Sequence, residues 1–340
     1  MKPQALIAAL LVPAIFLYGC KRYAPAVSEP EALAAGPAQP ADAGAWRKSP
    51  ANTPALSINF GPYIRGLNPE RGDKVFDDVF REILDLISPV ADTIRTFAVD
   101  GDMSRLYAIA KQEYNMRIIA GCWLGAGYSQ KQIGGQLSAL TALGNASLAD
   151  VLLVGSETVH RGEYSQEQII SYINTVRGGL KPGINIPVGT SDTLEAYTED
   201  LTGACDVICV TYYPYWNGVD AFYTGEDLKA MTLSLKARAD GKEIIITETG
   251  FPDQGAANGK AVPGMGNARL AFEEAYRFSR EYDIEICFFE AVDEAWKGSG
   301  PDDPEAHWGF FNDAGEIKPA YADIFESIAA GLAARSANTR

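Results

Sequence analysis

The chain has 340 residues, 47% of them hydrophobic and 10% aromatic, enough to bury a barrel-sized core and too apolar for a largely disordered chain. A formal net charge of −15 opposes binding to nucleic acid or anionic lipid and leaves a neutral substrate easy to accommodate. With only two histidines, His160 and His307, a multi-histidine metal centre is excluded and a Ser-His-Asp triad would have to use one of them, so carboxylates remain as the chemical workers and no cofactor is called for.

At the N-terminus Lys2 precedes ALIAALLVPAIFLYGC (5–20), an apolar stretch shorter than the roughly 20 residues of a spanning helix and of the length of a secretory signal core. Its end, LYGC, resembles the lipobox of bacterial lipoproteins, although Tyr18 stands where a small residue is the norm. That resemblance implies a signal peptide over residues 1–20, lipidation of Cys20, and a place in the cell envelope, held to a membrane by the lipid. An ordinary secreted protein and an uncleaved anchor are the alternatives. Residues 21–54 are rich in Ala, Pro, Gly and Ser without a periodic apolar face, the composition of a flexible tether.

From Ala55 to about residue 335, short β-prone apolar segments alternate with longer stretches of helical period. The strand candidates are LSINFGPY (56–63), TIRTFAV (93–99), MRIIAGCWLG (116–125), DVLLVGSET (150–158), IPVGTSDT (186–193), DVICVTYYPY (206–215), EIIITETGFP (243–252) and IEICFFEAVDEAW (284–296). Amphipathic stretches between them include 73–87, 104–114, 130–143, 166–176 and 269–282, with a last one over 319–333. Parallel neighbours need helical crossovers, so this alternation predicts a (β/α)8 barrel. The rival is a doubly wound open sheet, disfavoured because no Gly-x-Gly-x-x-Gly loop follows the first strand.

On such a barrel chemistry sits at the C-terminal strand ends. The apolar run IIIT ends in Glu248 on the seventh strand, and VLLVGS ends in Glu157 on the fourth, so both carboxylates are expected to face one bowl. Either alone has a structural reading, as a helix cap or an ion-pair partner. Together, without metal or histidine, they fit glycosidic bond cleavage: one carboxyl protonates the leaving oxygen while the other attacks the anomeric carbon or activates water.

VGSETVHRG (154–162), VTYYPYW (210–216), ITETGFP (246–252), VDEAWK (292–297) and HWGFF (307–311), in that order, resemble the successive motifs of glycoside hydrolase family 17, particularly its bacterial branch. The resemblance covers about residues 57–325 and implies a retaining enzyme acting on β-1,3-glucan, as hydrolase or glucanosyltransferase. It makes Glu157 the acid/base and Glu248 the nucleophile, and it suggests that Glu294 and Lys297 support the site. Two positions depart from the pattern. Ser156 stands where the family usually has Asn, which can contact the sugar 2-hydroxyl, and Phe251 stands where Trp is common. Because of Ser156, a glucan-binding barrel with little catalysis is the second reading.

Aromatic residues at the expected bowl suit a sugar ligand, whose ring faces stack while its hydroxyls seek polar groups. Tyr213 and Trp216 follow the sixth strand, Trp296 and Trp308 the eighth, and Trp123 ends the third, where barrel core is the alternative. Tyr63, after the first strand, and Arg95, within the second, are candidates to point inward; a structural ion pair is the alternative for Arg95, and beside Glu248 it would keep that group ionised. The Gly-rich stretch 253–266 lacks P-loop spacing and reads as a mobile rim of the cleft. Cys122, Cys205, Cys209 and Cys287 show no CxxC spacing and read as buried free thiols; disulfides of an exported protein are the alternative, with no pairing indicated by the spacing. A monomer is the expected state.

Overall fold

The computed structural model describes residues 55–300 and 302–338; Cys20 and the stretch 21–54 lie outside the described residues. Eight parallel strands follow one another around a closed barrel in chain order. They are β1 (Leu56–Asn59), β2 (Ala91–Thr96), β3 (Arg117–Cys122), β4 (Val151–Ser156), β5 (Val188–Thr193), β6 (Ile208–Thr211), β7 (Ile244–Thr249) and β8 (Glu285–Phe288). Closure runs through Ser57↔Cys287 and Ile58↔Phe288 between β1 and β8, which rules out the open sheet. The helices are α1 (Asp77–Ile87), α2 (Leu106–Gln112), α3 (Gln130–Asn145), α4 (Gln166–Gly179), α5 (Glu199–Ala204), α6 (Thr224–Lys236), α7 (Met265–Tyr282) and α8 (Ala322–Asn338).

Local chemistry explains where the helices start. Ser129 with Gln132 and Ser165 with Gln168 form reciprocal capping boxes, so α3 and α4 begin where the sequence pattern does. By contrast α1 starts at Asp77 rather than at residue 73. Asp73 is occupied elsewhere, accepting the Asn68 N–H at 3.0 Å and pairing with Arg71, which keeps that carboxylate in the preceding loop.

Alternation along the strands sorts the side chains into two layers. Outward residues such as Ile58, Ile94, Ile118, Leu152, Ile246 and Ile286 pack in one cluster with Phe80, Ile83 and Leu84 of α1 and Ile169 and Ile173 of α4. Each such side chain contributes about 1.5–3 kcal/mol on burial, so this layer holds the helices to the barrel. Inside, a smaller apolar plug of Ile119, Val151, Leu153, Val207, Cys209, Ile245 and Cys287 fills the barrel. Arg117 of β3, paired with Glu285 of β8 at 2.6 Å, closes one end of the interior, and the Ser57 hydroxyl also donates to Glu285. Toward the C-terminal ends the interior turns polar: Asn59 donates to the carbonyls of Thr247 and Cys287, and the Ser191 and Thr247 hydroxyls meet across the barrel at 2.7 Å. The four cysteines among the described residues, Cys122, Cys205, Cys209 and Cys287, are buried free thiols.

Candidate active site

Two register slips build the site. Along β4 and β5 the pairing Leu153↔Gly189 is followed by Ser156↔Ser191, leaving an extra residue on β4. Gly155 there has φ 78°, and a Cβ would come within 2.8 Å of Thr158 Cγ2, so the turn wants glycine. Strict alternation would point Ser156 at the helices; after the slip it points into the barrel. On β7 the pairing Val210↔Ile246 is followed by Thr211↔Glu248. Glu248, which alternation would place beside the outward Ile246, is thereby aimed at the mouth. Such irregularities next to functional sites re-aim side chains.

The two carboxylates then meet different surroundings. Glu248, 6% exposed, lies 3.0 Å from Arg95 Nη1 and accepts hydrogen bonds from the Ser156 hydroxyl at 3.0 Å and the Tyr213 hydroxyl at 2.9 Å. Arg95 is fully buried, stacks 3.6 Å over the Phe97 ring, and donates through Nη2 to Ser156 Oγ at 2.9 Å. Surrounded by donors, Glu248 has the partners a carboxylate anion needs.

Glu157, just past the end of β4 with φ 52°, accepts a hydrogen bond from Thr211 Oγ1 at 2.7 Å. Thr211 is the ladder partner of Glu248, so one residue joins the two sites. Burial, reinforced by the charges of Glu248 and Asp192 and opposed by the Thr211 hydrogen bond and Arg161, pushes the Glu157 carboxyl up to about 7. Near neutrality it therefore exchanges a proton readily, while Glu248 sits in an ion pair with two hydroxyl donors.

Glu294 and Lys297 belong to a neighbouring cluster, linked to the site where Lys297 lies over the Phe289 ring and Phe289 meets Tyr213 edge-on. Lys297 bridges Glu290 at 2.5 Å and Glu294 at 2.7 Å, and Glu294 also accepts the Tyr63 N–H at 2.9 Å. A Cβ on Gly61 would strike the Glu294 carboxylate at 2.4 Å, which makes glycine the residue that lets β1's loop approach. Burial, with Glu294 adding and Lys297 opposing, holds Glu290 well above the usual carboxylate range. Glu305 is pushed up to about 7, chiefly by burial, with Asp303 and Glu248 adding and Lys297 opposing. Neither Glu290 nor Glu305 stood out in the sequence. Glu290 ends the apolar run EICFF much as Glu248 ends its own, a signal that was there to read; Glu305 lies in a short turn, Pro304–Ala306, with no periodic pattern around it.

The aromatic candidates divide into backing and open surface. Tyr215, Phe251 and Trp308 are buried together, with Phe251 5.5 Å from Tyr215 and Trp308 5.2 Å from Tyr213. Tyr213 stands on this backing and reaches Glu248 with its hydroxyl. Trp216, Trp296 and Tyr63 are half-buried, Trp296 meeting Tyr63 edge-on at 5.9 Å. Trp123, also half-buried, carries the Arg161 guanidinium over its ring. The expected rim, 253–266, is fastened. Asn258 donates to the Tyr215 and Trp216 carbonyls, Tyr215 donates to the Ala256 carbonyl, and Asp253 faces Lys318 at 3.1 Å.

A closed (β/α)8 barrel with a salt-bridged glutamate and a near-neutral one at its mouth, ringed by aromatic residues, has the layout of a glycoside hydrolase. The family model described as the BtgE/BtgC glycoside hydrolase domain matches residues 57–309, and the chain belongs to that family. It is 26% identical over 261 residues to a probable beta-glucosidase btgE of Neosartorya fischeri, covering 75% of this chain and 46% of that one; the chain thus spans about half the length of the btgE proteins. It is 27% identical over 283 residues to a glucan 1,3-beta-glucosidase of Candida albicans, covering 76% of this chain and 91% of the other. Among solved structures, the glycoside hydrolase family 17 β-1,3-glucanosyltransferase of Rhizomucor miehei superposes with TM-score 0.70 at 25% identity, covering 78% of this chain and 96% of that one.

Proposed function

We propose that the protein is a retaining β-1,3-glucan hydrolase or glucanosyltransferase in which Glu157 is the acid/base and Glu248 the nucleophile. The observation that carries this reading is the contrast between the two carboxyls: Glu248 is ion-paired with Arg95 and bound by two hydroxyls, whereas Glu157 is pushed up to about 7 by burial. In the first step Glu157 gives its proton to the departing glycosidic oxygen as Glu248 attacks the anomeric carbon, forming a glycosyl ester and releasing the leaving sugar. Now ionised, Glu157 takes a proton from water or from an acceptor sugar hydroxyl, whose oxygen displaces Glu248. Water gives hydrolysis and a sugar gives transfer. The half-buried rings of Tyr63, Trp216 and Trp296 offer faces for pyranose stacking. The glucan activities named for the relatives support the substrate class.

The ending LYGC supports lipidation at Cys20 on a bacterial lipoprotein route and a cell-envelope location. Cys20→Ser should move the protein from the detergent phase to the aqueous phase.

The roles are tested with azide. Glu248→Gly with an activated glucosyl donor should yield an α-glycosyl azide, and Glu157→Gly a β-glycosyl azide. The reverse outcome would exchange the roles. End-labelled β-1,3-gluco-oligosaccharides should give shorter products, with longer ones where transfer competes; binding without turnover of any of them would sink the enzymatic reading.

A further inference from the structure

Asp192, the fifth residue of β5, is a buried carboxylate that the mechanism above does not use. It is fully buried and no cation pairs with it among the described ion pairs. Its partners are backbone N–H groups: Val159 donates to Oδ2 at 2.9 Å, and His160 and Thr193 donate to Oδ1 at 3.2 and 2.9 Å. Two of these donors belong to the turn immediately after Glu157. The preceding residue, Ser191, accepts the Glu157 N–H itself at 2.7 Å. The end of β5 therefore grips the chain on both sides of the Glu157 carboxyl.

That grip answers a local problem. The β4 slip, Gly155 at φ 78° and Glu157 at φ 52° put a non-glycine residue in the left-handed region, where backbone conformations persist only when their surroundings over-determine them. A neutral acceptor would supply hydrogen bonds. Burial raises the Asp192 carboxyl and its three backbone N–H donors oppose that rise; ionised, it supplies stronger bonds and also a charge behind Glu157.

We propose that Asp192 is a positioning residue for Glu157: it clamps the turn that carries the Glu157 carboxyl and, in its ionised form, sets a negative charge against it. The proposal rests on Glu157 being the acid/base. Among the groups acting on Glu157 are Glu248 on β7, Asp192 on β5, Thr211 on β6 and Arg161 on its own loop, and the exposed His160 faces Asp192. Glu248 and Asp192 favour the protonated acid, while Thr211 and Arg161 oppose it.

The test is Asp192→Asn in the full chain, which removes the charge and sets an amide N–H₂ against at least one of the backbone donors. The basic limb of the pH profile of kcat/KM reports deprotonation of the acid, and it should move to lower pH by about half a unit or more. At pH 7 turnover of β-1,3-gluco-oligosaccharides should fall about 10-fold or more. Glycosyl-enzyme formation from a dinitrophenyl glucoside, whose leaving group needs no proton, should stay within about 2-fold. Equal loss on both substrates with an unmoved limb would overturn the proposal, as a merely structural role predicts. Asp192→Ser, smaller and uncharged, gives a second reading if the amide is not accommodated; failure of both to fold would also overturn it, assigning Asp192 to the fold. Glu157→Gln on the same two substrates separates this from the acid/base assignment itself. If that variant loses both activities alike, the role of Glu157 falls; if it spares the dinitrophenyl glucoside while Asp192→Asn does not, only the Asp192 proposal falls.

Discussion

Ser156 donates its hydroxyl to Glu248 Oε1 over 3.0 Å, so the residue before one of the paired glutamates is a ligand of the other. The same Ser156 oxygen accepts from Arg95 Nη2 at 2.9 Å while Arg95 Nη1 reaches Glu248 at 3.0 Å. Arginine, serine and glutamate thus form a closed triangle. A longer side chain at Ser156 would have to break it, which gives the serine a role of its own: it orients Glu248.

The triangle makes Arg95 hard to replace. A lysine is a point charge without the planar fork, and it cannot hold Glu248 and Ser156 at once. Arg95→Lys should lower kcat on gluco-oligosaccharides about 100-fold with a smaller change in KM, the size of effect seen when an oriented electrostatic contact is lost. Arg95→Met leaves Glu248 buried beside no cation and should also cost about 3–5 kcal/mol of stability, read as a lowered Tm. An unchanged kcat in Arg95→Lys would show that charge alone suffices.

The raised Glu157 carboxyl links activity to stability in opposite directions. In the proposed role of acid it must be protonated, so activity should fall on the alkaline side with a midpoint near 7, the value to which burial and Glu248 push it. For stability, a carboxyl whose folded value lies above its unfolded one is favourable below the unfolded value, and that contribution is lost as pH rises through about 7. Glu157→Gln cannot ionise. It should therefore be inactive toward natural glucan, yet more stable than the parent at pH 8 by about 1–3 kcal/mol, and no more stable at pH 4. Denaturant melts at the two pH values check this; equal differences at both would contradict it.

Lys297 is the only cation paired with Glu290 and Glu294 among the described ion pairs. Lys297→Met strands two buried carboxylates and should cost about 3–5 kcal/mol. Since Glu290 is held high chiefly by burial, the loss should grow as pH rises and Glu290 is forced toward its charged form. Adding Glu290→Gln should recover part of it. A double variant no more stable than the single one would place the strain at Glu294 alone.

Strand identity and the two glutamates were legible because they rest on local pattern: β-branched apolar runs at regular spacing, each ending in a carboxylate. The turn that aims Glu248, and Ser156 beside Glu157, was not. Period-two alternation puts Glu248 with Ile246 and Ser156 with Leu152, against the helices. Only the slips at Gly155 and Thr247 turn them inward, and a slip depends on the neighbouring strand's pairing rather than on the strand's own residues. Glu305, Asp253 and Lys318 were missed for a related reason, since their partners are brought together by loops without periodicity. The stretch 253–266 has a mobile composition, but Asn258 and Tyr215 fasten it, contacts that composition does not encode.

The last of these loop contacts ties the β7 and β8 loops to the chain ahead of α8. Buried Lys318 lies 3.1 Å from Asp253, five residues after Glu248, and 2.8 Å from Asp293, beside Glu294; Asp293 also accepts the Gly309 N–H at 2.8 Å. One ammonium therefore holds the segments that carry Glu248 and the Lys297 cluster. Lys318→Met should destabilise the protein by about 3–5 kcal/mol and speed amide hydrogen exchange across 253–264 more than across α3 or α4. Burial holds Asp293 above the ordinary carboxylate range even with Lys318 opposing it, so without the lysine its protonated form is favoured further, and the variant's deficit should shrink as pH falls from 7 to 5. Adding Asp293→Asn should shrink the deficit at pH 7 as well. If exchange in 253–264 stays at the parent rate while stability falls, Lys318 serves the fold alone and the β7 loop is held by Asn258 and Tyr215.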